Sequence, residues 1–286
     1  MGGRPNPNHG HRFAVLDGWR GIAALCVALY HFPVYSHIEF SGFVHGAYLF
    51  VDFFFVLSGF VIAYVYADRL QRWDDVTEFI VRRFGRLWPL HVATLLFLFA
   101  MELAKLYAAN RGWLNFSRPP FDPAGFNNWA SIPTNLVLIQ ALGLHGGLSW
   151  NGPAWSICTE FWTYLVFAAL CWSGRRSLTL GAAACVAGGL LIVVLAGKGM
   201  NVSYDYGFFR CIFGFFTGYF AFSLWQGISP QMRHWMGRCE IPAVGAVILF
   251  LVYASDNVVS VVAPFLFGPV VLVFAGERGL VSRAMR

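Results

Sequence analysis

Long apolar runs broken by short polar stretches set the pattern of the chain. Runs of about 20 residues cover 13–32, 46–66, 87–107, 153–172, 177–196 and 207–226, and two shorter ones follow at 241–254 and 258–276. A helix rises about 1.5 Å per residue, so each longer run reaches across a hydrocarbon core about 30 Å thick. At that depth no water meets the backbone N–H and C=O groups, and a helix satisfies them within one segment. The pattern predicts an all-α membrane protein, a polytopic helical bundle of about eight transmembrane helices. One further apolar piece, 132–145, is short for a crossing, with Pro133 at its start and Gly143 near its end. It reads as a re-entrant or interfacial segment.

Charge decides the orientation. If 132–145 does not cross, fourteen Lys and Arg fall on one side of the bundle, and Lys105, Arg111, Arg118 and Lys198 fall on the other. If it crosses, the split is eight against ten. Cytoplasmic loops carry the excess of Lys and Arg, so the first arrangement is expected, with both termini cytoplasmic. Composition agrees: 58% of the 286 residues are hydrophobic and 12% charged, about half the charge fraction of a soluble domain. The net charge of +6 then reflects cytoplasmic loops, and nucleic-acid binding is excluded. Residues 1–12 are expected to be a disordered cytoplasmic tail, and 13–286 a single transmembrane domain. The first run is too long and too charged for a cleaved signal peptide and lacks a small-residue cleavage site. The six cysteines show no CxxC spacing; they read as small core residues, and no metal site is expected.

Ionisable residues inside such runs are costly and mark function by default. The first run, FAVLDGWRGIAALCVALYHF, holds Asp17, Arg20 and His31. At about 100° per residue, Arg20 and His31 return to within about 20° of each other, roughly 16 Å apart along the axis. Asp17 and Arg20, at i and i+3, are neighbours on that side. His31 is a candidate general base, because a free imidazole titrates near neutrality; the alternative is a hydrogen-bonded residue at a helix end. The stretch VRRFGRLWP places Arg83 and Arg86 one turn apart where a helix is expected to open. Paired guanidiniums suit a phosphate-bearing donor at the inner surface, or else they are ordinary positive-inside anchors. In SWNGPAWSICTEFWTYL, Ser156 and Glu160 sit at i and i+4. Glu160 is read either as a carboxylate that orients His31 or as a packing device bonded to its neighbours. Asp52 lies in the second run, ahead of the Ser58–Gly59 pair. Arg210 begins FFRCIFGFFTGYF, where Gly214 and Gly218 form a GxxxG face suited to close helix packing; its guanidinium is available to answer Glu160 or Asp52. Together these groups are expected to form a polar column from the inner surface to the outer. Nothing around Cys158 lowers its pKa recognisably, and it is not taken as a nucleophile.

These stretches in this order resemble the acyltransferase 3 family of integral-membrane O-acyltransferases, which includes O-antigen and exopolysaccharide acetylases. The matching motifs are LDGWRGIAALCVALYHF with its R-x10-H spacing, DFFFVLSGF, RRFGRLWP, and WSICTEFWTYL with its S-x3-E spacing. The resemblance implies transfer of an acyl group, commonly acetyl, from acyl-CoA as co-substrate to a carbohydrate or glycolipid hydroxyl, with no bound cofactor, in the cell (inner or plasma) membrane. It implies that His31 is the catalytic histidine and Glu160 the essential carboxylate. Arg83 and Arg86 are then the acyl-CoA contacts, with Arg20 as motif partner. From their places in the runs, Asp17, Asp52, Ser156 and Arg210 are read as supporting residues. Family members usually continue with about two more spans, so the resemblance also implies a C-terminally truncated copy. Two other readings stay open: a transporter or flippase whose polar column is a permeation path, and a non-catalytic membrane partner.

Overall fold

The computed structural model describes residues 12–32, 41–255 and 257–286. The expected tail, apart from Arg12, and residues 33–40 of the turn after the first run lie outside the described residues. Every regular element among the described residues is helical. In chain order they are α1 (Ala14–Tyr30), α2 (Gly42–Gly46), α3 (Phe50–Tyr66), α4 (Trp73–Asn110), α5 (Ile132–Leu136), α6 (Trp155–Trp172), α7 (Arg175–Leu195), α8 (Gly207–Gly227), α9 (Pro230–Met236), α10 (Glu240–Ala254), α11 (Ala263–Ala275) and α12 (Leu280–Ala284). Among the described residues, seven helical stretches are long and apolar enough to cross a membrane. The 17 residues of α1 reach about 26 Å. The protein is an all-α polytopic membrane protein.

Two boundaries differ from the expected ones. The third run is the end of a 38-residue helix, about 57 Å long, so the arginine-rich stretch before it is helix and not loop. Arg83 and Arg86 therefore lie three turns inside α4 and do not open it. Pro89 sits within α4; it removes one backbone donor, and the helix continues through it. Residues 230–239, expected as a loop, also form helix. Ser229 caps α9 by accepting from the Met232 N–H, Pro230 supplies a preset first turn, and a 3-10 turn over Gly237–Cys239 leads on into α10. The piece 132–145 forms no spanning helix: five residues make α5 and turns follow.

By contacts the chain divides into two compact units, residues 1–69 with 213–286, and residues 70–212; the division falls inside α8. The first unit is built around α3, of which Phe53, Phe55, Val56, Leu57, Phe60, Ile62 and Ala63 are all buried. α1 and α11 pack on α3, and α10 packs on α2 and α11. Phe267 of α11 lies against Phe50 and Phe53. The GxxxG face of α8 meets α3 backbone to backbone. A Cβ on Gly59 would collide with the Phe215 carbonyl oxygen, and one on Gly218 with the Val56 carbonyl oxygen. This is the close packing that small residues permit in lipid, where no hydrophobic force draws helices together.

In the second unit α6 packs on α4 and α7. The turn from α6 to α7 is short because Gly174 takes φ +98°, a conformation that side-chain-bearing residues rarely adopt. Residues 111–154, rich in Gly, Pro, Asn and Trp, fold as an ordered segment between α4 and α6. Phe121, Trp129 and Trp150 pack with Phe99 of α4. Buried Glu102 of α4 accepts from the Phe121 N–H (3.2 Å), Asn127 Nδ2 (2.8 Å) and Lys105 Nζ (2.6 Å). Cys158 Sγ and Trp162 Nε1 both donate to the Leu138 carbonyl. Phe121, Leu138 and Trp150 all hold positive φ, between 53° and 56°, a strained setting for non-glycine residues that the surrounding contacts must hold in place.

Candidate active site

α1 presents the expected stripe. Asp17 Oδ1 accepts from Arg20 Nη1 at 3.1 Å, and its Oδ2 accepts from Arg12 Nε at 2.9 Å. Both partners of the Asp17–Arg20 pair are nearly two-fifths exposed, so the network holds the guanidinium on the stripe more than it stabilises the fold. Trp19, Ile22 and Cys26 lie on the opposite side of α1 by register, where with α3, α10 and α11 they line an apolar recess of about 160 Å³. The N-terminus of α1 is anchored by a residue that no motif or spacing singled out. Buried Glu277 accepts from the Val15 N–H at 3.0 Å and from Arg286 Nη2 at 3.0 Å. A carboxylate at a helix N-terminus also meets the positive end of the helix dipole. A second buried carboxylate, Glu240, accepts from the N–H groups of Gly279 and Ser282 and from the Ser282 hydroxyl. Residues 277–282 are therefore pinned at two points.

His31 ends α1 and is exposed. Its Nδ1 lies 2.9 Å from the Val27 carbonyl oxygen. A carbonyl can only accept, so the bond places a proton on Nδ1, and in the neutral imidazole Nε2 then carries the lone pair. The backbone of its own helix thus holds the His31 ring. Asp52, in the first turn of α3, is fully buried.

The second unit holds the other candidates. Arg82 pairs with Glu78 at the surface. Arg83 turns inward, its Cζ 5.7 Å from the centroid of Phe79 and 5.9 Å from that of Tyr164, a cation–π setting. The Tyr164 hydroxyl donates to Glu160 Oε1 at 2.5 Å. Tyr164 thus joins the arginine of one motif to the carboxylate of another. It was not selected from sequence, although a Glu-x3-Tyr spacing on one helix face was there to be read. Arg86 is exposed, with no ion pair among the described residues. Ser156, one turn before Glu160, donates to the Pro153 carbonyl. Arg210 is buried, donating to the Val202 carbonyl at 3.2 Å with its guanidinium over the Trp155 ring. Among the predicted site residues, Asp17 pairs with Arg20, and Tyr164 touches both Arg83 and Glu160. His31, Arg20, Asp17 and Asp52 belong to the first unit; Arg83, Arg86, Ser156, Glu160 and Arg210 belong to the second.

A family model described as an acyltransferase domain matches residues 13–280. The chain belongs to the acyltransferase 3 family. It is a membrane acyltransferase. It is similar to "Protein 2 in picA locus" of Rhizobium radiobacter, 31% identical over 193 residues that cover 65% of this chain and 96% of that one. It is also similar to acyltransferase MdmB of Streptomyces mycarofaciens, 34% identical over 119 residues, 41% of this chain and 26% of that one. No solved structure matches the chain.

For an acyltransferase, the Tyr164 hydroxyl offers a direct test. Tyr164→Phe keeps the ring under Arg83 and deletes the donor to Glu160. A hydrogen bond to a charged group contributes about 1.5–3 kcal/mol, so kcat/KM for acyl transfer is expected to fall roughly 10- to 100-fold. Steady-state kinetics on the purified variant check this; an unchanged kcat/KM would show that Glu160 does its work without Tyr164.

Proposed function

We propose that this acyltransferase moves an acyl group, acetyl, from cytoplasmic acyl-CoA to a hydroxyl of a cell-surface or exported carbohydrate. The protein lies in the cell (inner or plasma) membrane with both termini cytoplasmic, in keeping with the distribution of Lys and Arg. The observation that carries the reading is the bond from His31 Nδ1 to the Val27 carbonyl, which leaves Nε2 ready to accept a proton. Nε2 takes the proton of the acceptor hydroxyl as the hydroxyl oxygen attacks the thioester carbonyl carbon. The C–S bond breaks, and the departing CoA thiolate takes the proton from the imidazolium. Acyl-CoA is a co-substrate here, and the reaction calls for no resident cofactor.

Arg83 and Arg86 are assigned to the CoA phosphates, and Arg20, steadied by Asp17, to the pantetheine arm. Arg83 reaches that role already ordered by the Phe79 and Tyr164 rings, and Arg86 is exposed. Glu160 supports the reaction from its bond with Tyr164. Asp52, Ser156 and Arg210 are supporting residues.

The purified protein, given acetyl-CoA and a saccharide acceptor, is expected to release CoA thiol only when the acceptor is present, with an acetyl ester appearing on the acceptor. Solute movement without thioester consumption would sink the reading in favour of a transporter. Arg83→Ala is expected to raise the KM for acetyl-CoA by about tenfold or more, the loss of one charge-assisted phosphate contact. An unchanged KM would return Arg83 to the role of a membrane anchor.

A further inference from the structure

The segment between α4 and α6, together with Tyr204, lines an open cleft of about 740 Å³, within the range of small-molecule sites. Arg118, Phe126, Asn128, His145, Ser149 and Tyr204 are among its lining residues. Two aromatic rings beside amide, hydroxyl and imidazole groups match the mixed apolar and polar faces of a sugar ring. Gly146 and Gly147 lie on the lining too, and a Cβ on either would meet nothing within 4 Å, so the backbone is open to a ligand there. The walls are fixed. His145 Nε2 bonds the Thr134 hydroxyl at 2.7 Å, Ser149 Oγ accepts from Asn135 Nδ2 at 2.8 Å, and the Tyr204 carbonyl accepts from the Gly143 N–H at 3.0 Å.

The charges decide which sugars fit. The lining holds a guanidinium and an imidazole but no carboxylate. Neighbouring carboxylates are already engaged. Glu102 is taken by Lys105, Asn127 and the Phe121 N–H, and Asp122 Oδ1 by the Ala124 N–H. Asp205, next to Tyr204, is held by Lys198 at 3.0 Å and by the N–H groups of Ser203 and Tyr206. Burial pushes the Asp205 carboxyl up, but Lys198 and those N–H groups outweigh it and hold it below the usual carboxylate range. Arg118 is exposed and has no ion pair among the described residues.

We infer that this cleft binds the acceptor, and that the acceptor is an acidic saccharide whose carboxylate or phosphate meets Arg118 while its ring stacks on Phe126 or Tyr204. The acceptor role rests on the acyl-transfer reading; the binding itself does not. The test is equilibrium binding of trigalacturonate and of maltotriose, matched in size, to the full chain in detergent without acetyl-CoA, alongside CoA-thiol release with each sugar as acceptor. Trigalacturonate is expected to bind about tenfold tighter, the value of one charge-assisted contact. Arg118→Gln should erase that preference, Arg118→Lys should keep part of it, and Tyr204→Ala should weaken both sugars. Equal affinities in the wild type, or a preference that survives Arg118→Gln, overturn the inference even if CoA release is intact. Competition of trigalacturonate by phosphatidylglycerol vesicles but not by free galacturonate would reassign Arg118 to lipid headgroups and overturn it as well. Preferential binding without any acceptor-dependent CoA release would instead overturn the acyl-transfer reading and leave the cleft as a saccharide site.

Discussion

His31→Ala is expected to reduce acyl transfer by about 10²–10⁴-fold, the range contributed by a positioned general base. The residue ends α1 and is exposed, so its removal creates no cavity, and the variant should reach the membrane in normal yield. His31→Gln refines the test. It keeps a donor for the Val27 carbonyl but supplies no basic nitrogen, so it should be as inactive as the alanine variant. Transfer assays on membranes with matched protein levels measure both. Activity close to wild type in either variant would remove His31 from the reaction and leave the Val27 bond as a helix-end contact.

The second large effect is on stability. Gly59 and Gly218 face backbone atoms of the partner helix, not the ends of movable side chains. A side chain at either position must push α3 and α8 apart. Gly218→Leu is expected to cost at least the ~3 kcal/mol at the upper end of overpacking penalties, and to leave little folded protein in a thermal aggregation assay in detergent. Gly245→Ala serves as the control. A Cβ there meets nothing within 4 Å, and Ala favours helix over Gly by roughly 1 kcal/mol. Equal melting of the Gly218 and Gly245 variants would mean that α3 and α8 are not in close contact.

These two residues show what could be read from sequence. Hydropathy alone located the apolar runs, because lipid demands about 20 residues of helix for each crossing. The GxxxG spacing correctly marked a packing face. The stripe on α1 followed from helical register. The start of α4 did not follow, because a polar amphipathic stretch reads as loop when its continuation into an apolar helix is not weighed. Residues 111–154 were opaque for a different reason. Their order comes from contacts distant in sequence: Glu102 reaching Phe121 and Asn127, Trp162 reaching Leu138, and His91 Nε2 bonding the Asn135 carbonyl. Left-handed Phe121, Leu138 and Trp150 break the usual rule that such positions fall to glycine. Glu277 and Glu240 were not singled out, because no local spacing signals that a carboxylate will meet N–H groups 262 or about 40 residues away. Tyr164 was within reach, one turn from Glu160, but a tyrosine in an aromatic-rich helix carries little signal alone.

The bond between Glu277 and the Val15 N–H spans 262 positions in the chain. Translation proceeds at about 5–20 residues per second, so the helix that carries His31 is made roughly 13–50 s before the carboxylate that caps it. Until then α1 lies in the bilayer with that first-turn donor unsatisfied by its final partner. The cap on the helix that carries the Arg20–His31 stripe is therefore added late, by a residue made long after the helix itself.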